Sequence, residues 1–295
     1  MPSLEIGTVG IVGTFGIVDT MIGIPELGSA TPGLLGRQLE GDHSKDKEGL
    51  PVGTGFKDTP SGAIDCDPVD RVLGEMDIYG IERGLIELGQ EGGAADTALE
   101  KHPNRFMATA AIDPNRGMEG VRALEHAVRV RGASAAFLMP AFVEPQVPIN
   151  DKKCYPLYAK CIELEIPVFI TVGVPGLRVP MACQHVELLD EVCWFFPDLK
   201  IVMRHGAEPW VDLAIKLMLK WPNLYYSTSA LAPEHYPKAI VDYANTRGAD
   251  KVLYAGCLPS GLSLERMFRE LPEVPFREQV WPKFLRENAL SVLGF

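Results

Sequence analysis

The sequence predicts a (β/α)8 barrel that occupies residues 1–295 as a single domain. Three observations predict it. Eight short β-branched or apolar runs punctuate the chain. Segments of helical period separate them, as repeated βα units around a parallel sheet require. No G-x-G-x-x-G follows the first run, which argues against the rival, a doubly wound open sheet.

The strand runs, in order, are 10–18, 83–87, 106–111, 135–139, 168–172, 200–203, 224–227 and 251–255, each bounded by Gly, Pro, Asn or Asp. Apolar residues recur at spacings of three and four over 118–131, 153–164, 183–196, 211–220 and 234–247, the stripe of a helix packed on a barrel. A helix over 70–79 precedes the second strand, and one over 276–293 closes the domain. Residues 24–69 interrupt this rhythm with Gly, Pro, Asp and Lys and no sustained period. An insertion of that length is a lid, a binding loop or a solvated excursion, and following strand one it opens on the face where barrel active sites sit.

With 295 residues, 46% hydrophobic and 23% charged, the chain reads as a soluble globular protein with an ample core. A formal charge of −11 excludes a nucleic-acid partner and an anionic membrane surface, both of which demand basic patches. A small-molecule substrate is therefore expected. The six cysteines, 66, 154, 161, 183, 193 and 257, form no C-x-x-C pair and fall largely in apolar stretches, as buried reduced thiols do. There is neither a basic-then-apolar leader nor a run of ~20 apolar residues. A cytoplasmic location is the expectation.

Several phrases in a fixed order carry a family resemblance. They are Val18-Asp19, Met76-Asp77-Ile78-Tyr79-Gly80-Ile81, His102-Pro103-Asn104-Arg105-Phe106, Ile112-Asp113-Pro114 and Glu165-Ile166-Pro167-Val168. Phe196-Pro197-Asp198-Leu199-Lys200, Arg204-His205-Gly206, Trp221-Pro222-Asn223 and Arg286-Glu287-Asn288-Ala289 follow. Together the chain resembles the amidohydrolase-related proteins of the aminocarboxymuconate-semialdehyde decarboxylase type, over nearly its whole length.

The resemblance implies a divalent metal held by D-x-H-x-H after strand one, a His after strand five and an Asp in G-T-D-x-P after strand eight. Those ligand positions fall here on Met21, Gly23, Thr171 and Cys257. What remains of the family's site is Asp19, which leads the first motif, and His205, which in the family stands beside the metal as acid/base. The resemblance also implies C–C cleavage such as decarboxylation, or C–O/C–N hydrolysis, and a homo-oligomer, most simply a dimer.

A catalytic zinc needs three N, O or S ligands, which Met and Gly do not supply. No cofactor is therefore expected. Proton handling falls to His205, whose ordinary pKa of ~6.5 suits both acceptance and donation, with Asp19 orienting the imidazole or carrying a second proton. If His205 points into the barrel, strand alternation turns Arg204 to the outer face. Arg178 is the expected bidentate donor to a substrate carboxylate, or else a solvated loop residue. Cys257 is a space filler or a thiolate nucleophile with His205 as its base. Met21 and Thr171 fill vacated ligand space and make the pocket less polar. Trp210, after Pro209, covers a planar substrate or simply packs at a helix start. Glu26 and Glu208 are loop carboxylates near the same face. Three functions stay open: a metal-independent hydrolase or lyase for a small carboxylated or cyclic compound, a catalytically inactive barrel that binds a ligand or partner, and a metalloenzyme with a site rebuilt from Asp19, His205 and Cys257.

Overall fold

In the computed structural model, residues 16–24, 67–176, 179–258 and 262–295 are described. Eight strands form one sheet in chain order. They are β1 (Ile17–Asp19), β2 (Ile81–Glu87), β3 (Phe106–Ala111), β4 (Ala133–Leu138), β5 (Val168–Thr171), β6 (Ile201–Arg204), β7 (Leu224–Ser227) and β8 (Val252–Leu253), with every neighbouring pair parallel.

The seam between β8 and β1 closes just beyond the strands. Thr20 donates to the Tyr254 carbonyl through its N–H (3.3 Å) and its hydroxyl (2.8 Å). Cys257 N–H donates to Met21 O at 2.9 Å and Gly23 N–H to Leu258 O at 2.6 Å. Ile22 and Leu258 form a parallel bridge. The predicted (β/α)8 barrel is the observed fold. Of the insertion predicted over 24–69, residues 25–66 lie outside the described residues, as do positions 10–15 of the first predicted strand, while Pro68 and Val69 already belong to the helix that follows.

The helices are α1 (Pro68–Ile78), α2 (Ala94–Lys101), α3 (Gly117–Arg129), α4 (Tyr155–Glu163), α5 (Leu189–Phe195), α6 (Val211–Lys220), α7 (Lys238–Ala244), α8 (Leu264–Glu270) and α9 (Asn288–Leu293). Start signals explain their onsets. Asp67 Oδ1 accepts from Val69 N–H at 2.8 Å with Pro68 at the first position of α1, and Ser263 Oγ accepts from Arg266 N–H to cap α8.

The periodic segments are shorter than predicted where proline intervenes. The 234–247 segment becomes a turn at Pro233–His235 followed by α7, because Pro237 has no N–H to donate. The 276–293 segment becomes a turn, a π-helical stretch at Lys283–Glu287 beginning after Pro282, and α9. The 183–196 segment opens as two 3-10 turns before α5. Helices α2 and α8, too short to impose a clear stripe, were not expected.

Alternation along the strands divides the core in two. Val18, Leu85, Met107, Phe137, Phe169, Val202 and Leu253 fill the barrel interior, joined by Ala289, Val292 and Leu293 of α9. The alternate residues, Ile17, Ile86, Ala108, Ile170, Met203 and Tyr254 among them, pack against the helices. Lys200 Nζ donates to the carbonyls of Ser291 and Val292, tying α9 to the start of β6. The N-terminal end of the barrel is thus plugged by apolar side chains, which leaves interior polar chemistry to the other end.

Candidate functional site at the C-terminal mouth

Interior positions change character toward the strand ends. Two residues beyond Leu85 stands Glu87, two beyond Met107 stands Thr109, two beyond Phe169 stands Thr171, and two beyond Val202 stands Arg204. Thr109, Thr171 and Arg204 are buried. The hydroxyls of both threonines and Nε of Arg204 are enclosed without a hydrogen-bond partner. Buried polar atoms are almost always paired, so these three at one end of the barrel make it the candidate site, although Gln184, Asn223, Tyr236 and Tyr254 carry such atoms as well.

Arg204 corrects an expectation. Its guanidinium carbon lies 5.5 Å from the centroid of Phe137, an interior ring, so the side chain points into the barrel rather than to the outer face. The reason is that β6 runs one residue further than predicted and keeps its alternation to Arg204. Burial pushes the guanidinium pKa down, while the charges of Glu87 and Cys257 oppose that shift. Burial likewise pushes the Glu87 carboxyl up, with Arg204 pulling it back.

The chain turns immediately after Arg204. His205, Gly206 and Ala207 have φ of 65°, 89° and 58°, consecutive left-handed residues of which two carry a Cβ. Such strain persists only where neighbours impose it, and it concentrates at functional sites. Here Ser229 Oγ accepts from His205 N–H at 3.0 Å, and Tyr226 Oη donates to Gly206 O at 2.8 Å. Ala230 and Cys257, also left-handed at 65° and 89°, follow β7 and β8. His205 is half-buried, with Nδ1 enclosed and unpartnered. Burial, and then the Arg204 charge, push its pKa down to about 3, so the imidazole is neutral throughout the physiological range.

Asp19 lies elsewhere. Val18 faces the interior, and Asp19, next along the strand, faces the seam. Its Oδ1 accepts from the N–H groups of Met21 and Gly256, each at 2.9 Å. Its Oδ2 is enclosed without a partner, 2.6 Å from where a Cβ on residue 256 would stand, so glycine is needed there. Burial raises its pKa to about 7 against those two hydrogen bonds. No hydrogen bond joins Asp19 to His205, so the orienting contact expected from sequence is not made.

Cys257 is buried, and burial pushes its thiol up to about 11, with Arg204 acting in the opposite direction. It is a thiol near neutrality, not a thiolate. Met21 uses its backbone to pair with Asp19 and Cys257. Trp210 sits at the start of α6 against the His185 ring, centroids 3.9 Å apart. Arg178 and Glu26 lie outside the described residues. The structure therefore brings Thr171, Arg204, His205 and Cys257 to the ends of β5, β6 and β8. Sequence reading missed Glu87, Thr109 and Ser229; counting in twos from Leu85 and Met107 is the signal that finds the first two.

At the positions where the resemblance puts metal ligands, the described residues are poor donors for a divalent metal. Gly23 has no side chain, Met21 offers a thioether and Thr171 a neutral hydroxyl, and Asp19 Oδ1 is taken by two N–H groups. Among the described residues no three of His, Cys, Asp or Glu gather as a ligand set, which leaves the rebuilt site of Asp19, His205 and Cys257 without support.

Two cavities of about 790 and 720 Å3 open at the opposite end of the barrel, lined in part by Arg83, Arg105 and Arg286 and by Arg247, Lys251 and Lys283. Arg105, Arg286 and Lys283 are ion-paired with Asp77, Glu82 and Asp250, and that end of a barrel serves stability.

Comparison with known proteins places this geometry. The amidohydrolase family model matches residues 94–295. No curated protein matches. Among solved structures, an uncharacterised TIM-barrel protein of Bordetella bronchiseptica superposes with a TM-score of 0.73 at 22% identity, covering 95% of this chain and 99% of that one. A 5-carboxyvanillate decarboxylase of Novosphingobium aromaticivorans, determined with manganese and 3-methoxy-4-hydroxy-5-nitrobenzoic acid, gives 0.66 at 16% identity over 95% and 97%. A 2,6-dihydroxybenzoate decarboxylase from Rhizobium gives 0.65 at 15% identity over 95% and 99%. At such identities the likeness shows the fold.

Proposed function

Since the chain belongs to the amidohydrolase family, we propose that it is a metal-independent hydrolase or carboxy-lyase for a small carboxylated compound, with His205 exchanging protons with the substrate. The observation that carries this reading is the convergence of unpartnered buried polar atoms, from Thr109, Thr171, Arg204 and His205, at the C-terminal mouth. The names of the structural neighbours support the substrate class, two of them being decarboxylases of aromatic carboxylic acids.

In this reading the neutral imidazole of His205 offers one nitrogen as acceptor and the other as donor, so it takes a proton at one step and returns one at another. The left-handed turn and the Ser229 hydrogen bond fix its backbone. Asp19 acts through the seam it holds, setting the position of the Gly256–Cys257 backbone. Thr171, Met21 and Cys257 shape the pocket, and Trp210 forms its shoulder with His185. A purely ligand-binding barrel is the alternative; the retained imidazole beside a buried cation favours chemistry.

The test is a screen of small carboxylic acids for loss of carbon dioxide and of lactones and amides for hydrolysis, run with metal quantification. Protein purified without chelator should hold well under 0.1 mole of zinc or manganese per chain, and a chelator should leave turnover unchanged. Stoichiometric metal, or activity lost to chelation and restored by manganese, would refute metal independence.

We further assign the chain to a homodimer in the cytoplasm. Trp194 and Phe195 at the end of α5 are 71% and 56% exposed, an aromatic patch suited to a second copy. The five described cysteines are buried and unpaired, consistent with a reducing compartment. Among the described residues no helix is long and apolar enough to cross a membrane. Light scattering should give twice the 32.3 kDa chain mass, and Trp194→Asp should halve it. A monomeric wild type excludes the assignment.

A further inference from the structure

We propose that Arg204 is the ligand-binding cation of this barrel, a buried guanidinium that receives the carboxylate of a small monocarboxylic acid. The inference rests on the reading of the C-terminal mouth as the site and names the group that recognises the substrate.

Arg204 is 8% exposed, and among the described residues its buried Nε has no hydrogen-bond partner and no carboxylate forms an ion pair with it. The opposite charge that acts on it, Glu87 on β2, makes no hydrogen bond to it, so the buried guanidinium is held at long range only, an arrangement that a directly bound carboxylate would complete. The Phe137 ring beneath the guanidinium holds it by a cation–π contact and leaves its N–H edge free. That edge is a planar fork matched to a carboxylate.

The surroundings supply the rest of a binding site. Thr171 is the register partner of Arg204 on β5, and its unpartnered hydroxyl is a further donor toward a bound oxygen. Thr109 offers a second from β3. Glu87, across the barrel on β2, and Cys257, beyond β8, both act electrostatically on the guanidinium. Among the described residues Arg204 is the cation whose buried Nε lacks a partner at the mouth, and with a net charge of −11 on the chain it suits a monoanion better than a polyanion. Glu87 is placed to accept from a hydroxyl or amine on the same ligand.

A consequence for the chemistry follows. The Arg204 charge is the second cause holding His205 neutral, so a bound carboxylate offsets it and makes the imidazole a better base only when substrate is present. Arg204 supplies positive charge to the mouth directly.

The experiment is calorimetric titration of the full chain with benzoate and mandelate, their neutral amides benzamide and mandelamide, and inorganic phosphate. It compares wild type, Arg204→Met and Arg204→Lys. At least one carboxylate should bind wild type ten-fold or more tightly than its amide and than phosphate. Arg204→Met should lose that preference, and Arg204→Lys should keep the charge preference with several-fold weaker binding. Arg204→Met should melt at or above the wild-type temperature, because an unpaired buried charge has been removed, whereas a purely structural role requires a lower one. If Arg204→Met does not fold, Arg204→Lys decides the matter. No carboxylate binding to wild type, equal binding of acid and amide, tighter binding of phosphate, or undiminished binding in either variant overturns the proposal. Turnover that needs His205 but not Arg204 would leave the proposed function standing and remove this inference; Arg204-dependent binding with no turnover of any compound would do the reverse.

Discussion

Replacing His205 by Asn abolishes turnover, lowering kcat on the order of 100- to 10,000-fold, while the barrel stays folded. Asn is the informative substitution because it tolerates the left-handed φ of 65° better than most residues, and the His205 N–H to Ser229 bond is made by backbone. Loss of activity then reports the imidazole and not a collapsed turn. Substrate binding should survive, so KM moves little. Equal loss of activity and of thermal stability would instead mark His205 as a structural residue.

Two further readouts separate His205 from its neighbours. Its depressed pKa predicts that kcat/KM, which reports the free enzyme, keeps its basic group below pH 6 and falls only toward about 3, well under an ordinary histidine limb at ~6.5. Cys257→Ser should retain activity within a few fold, because a thiol pushed up to about 11 is protonated at neutrality and does not serve as nucleophile. A dead Cys257→Ser variant that still folds and binds carboxylate would restore the thiolate mechanism.

The largest stability effect is expected at Asp19. Asp19→Ala leaves the N–H groups of Met21 and Gly256 without their acceptor at the seam that closes the barrel. Each orphaned donor costs about 1–3 kcal/mol, so a loss of roughly 2–6 kcal/mol is expected in urea unfolding at pH 5. Asp19→Asn keeps an acceptor oxygen and removes the buried charge, so it isolates the titration. A folded-state pKa raised from 3.8 to about 7 means the native protein holds a proton that the unfolded chain has released. The associated stability is fully present below about pH 4 and lost as pH rises through 7, by roughly 4 kcal/mol at most.

His205 acts in the opposite sense. Its folded pKa is depressed to about 3, so its contribution is present above ~6.5 and lost as pH falls toward 3. Between pH 4 and 6.5 the two slopes oppose each other, and the wild-type profile is flatter than either alone. Asp19→Asn should therefore be more stable than wild type at pH 8, and should lose stability on acidification where wild type does not. Unfolding curves from pH 4 to 8 decide it. If Asp19→Asn instead keeps the wild-type pH profile and loses turnover, the carboxyl is a proton carrier and not a seam residue.

The sequence alone determined the architecture, because the alternation of apolar runs and helical stripes is a local property repeated eight times. It also determined the ends of strands such as 106–111 and 224–227, and through the family resemblance it singled out Asp19, Thr171, His205 and Cys257. The tertiary structure decided where their side chains face. Parity along a strand has to be counted from a residue known to lie inside. Counted from an assumed inward His205, Arg204 falls on the outside; counted from Val202, which packs in the barrel, it falls within. The left-handed turn at His205 and Ala207 has no glycine at those positions to announce it, since Ser229 and Tyr226, from another strand and the loop after it, impose it. The same holds for Asp19, whose two donors are a neighbour in sequence and a glycine 237 positions away. Periodicity is written in consecutive residues, whereas burial without a partner is a relation among eight strand ends, and only closing the barrel creates it.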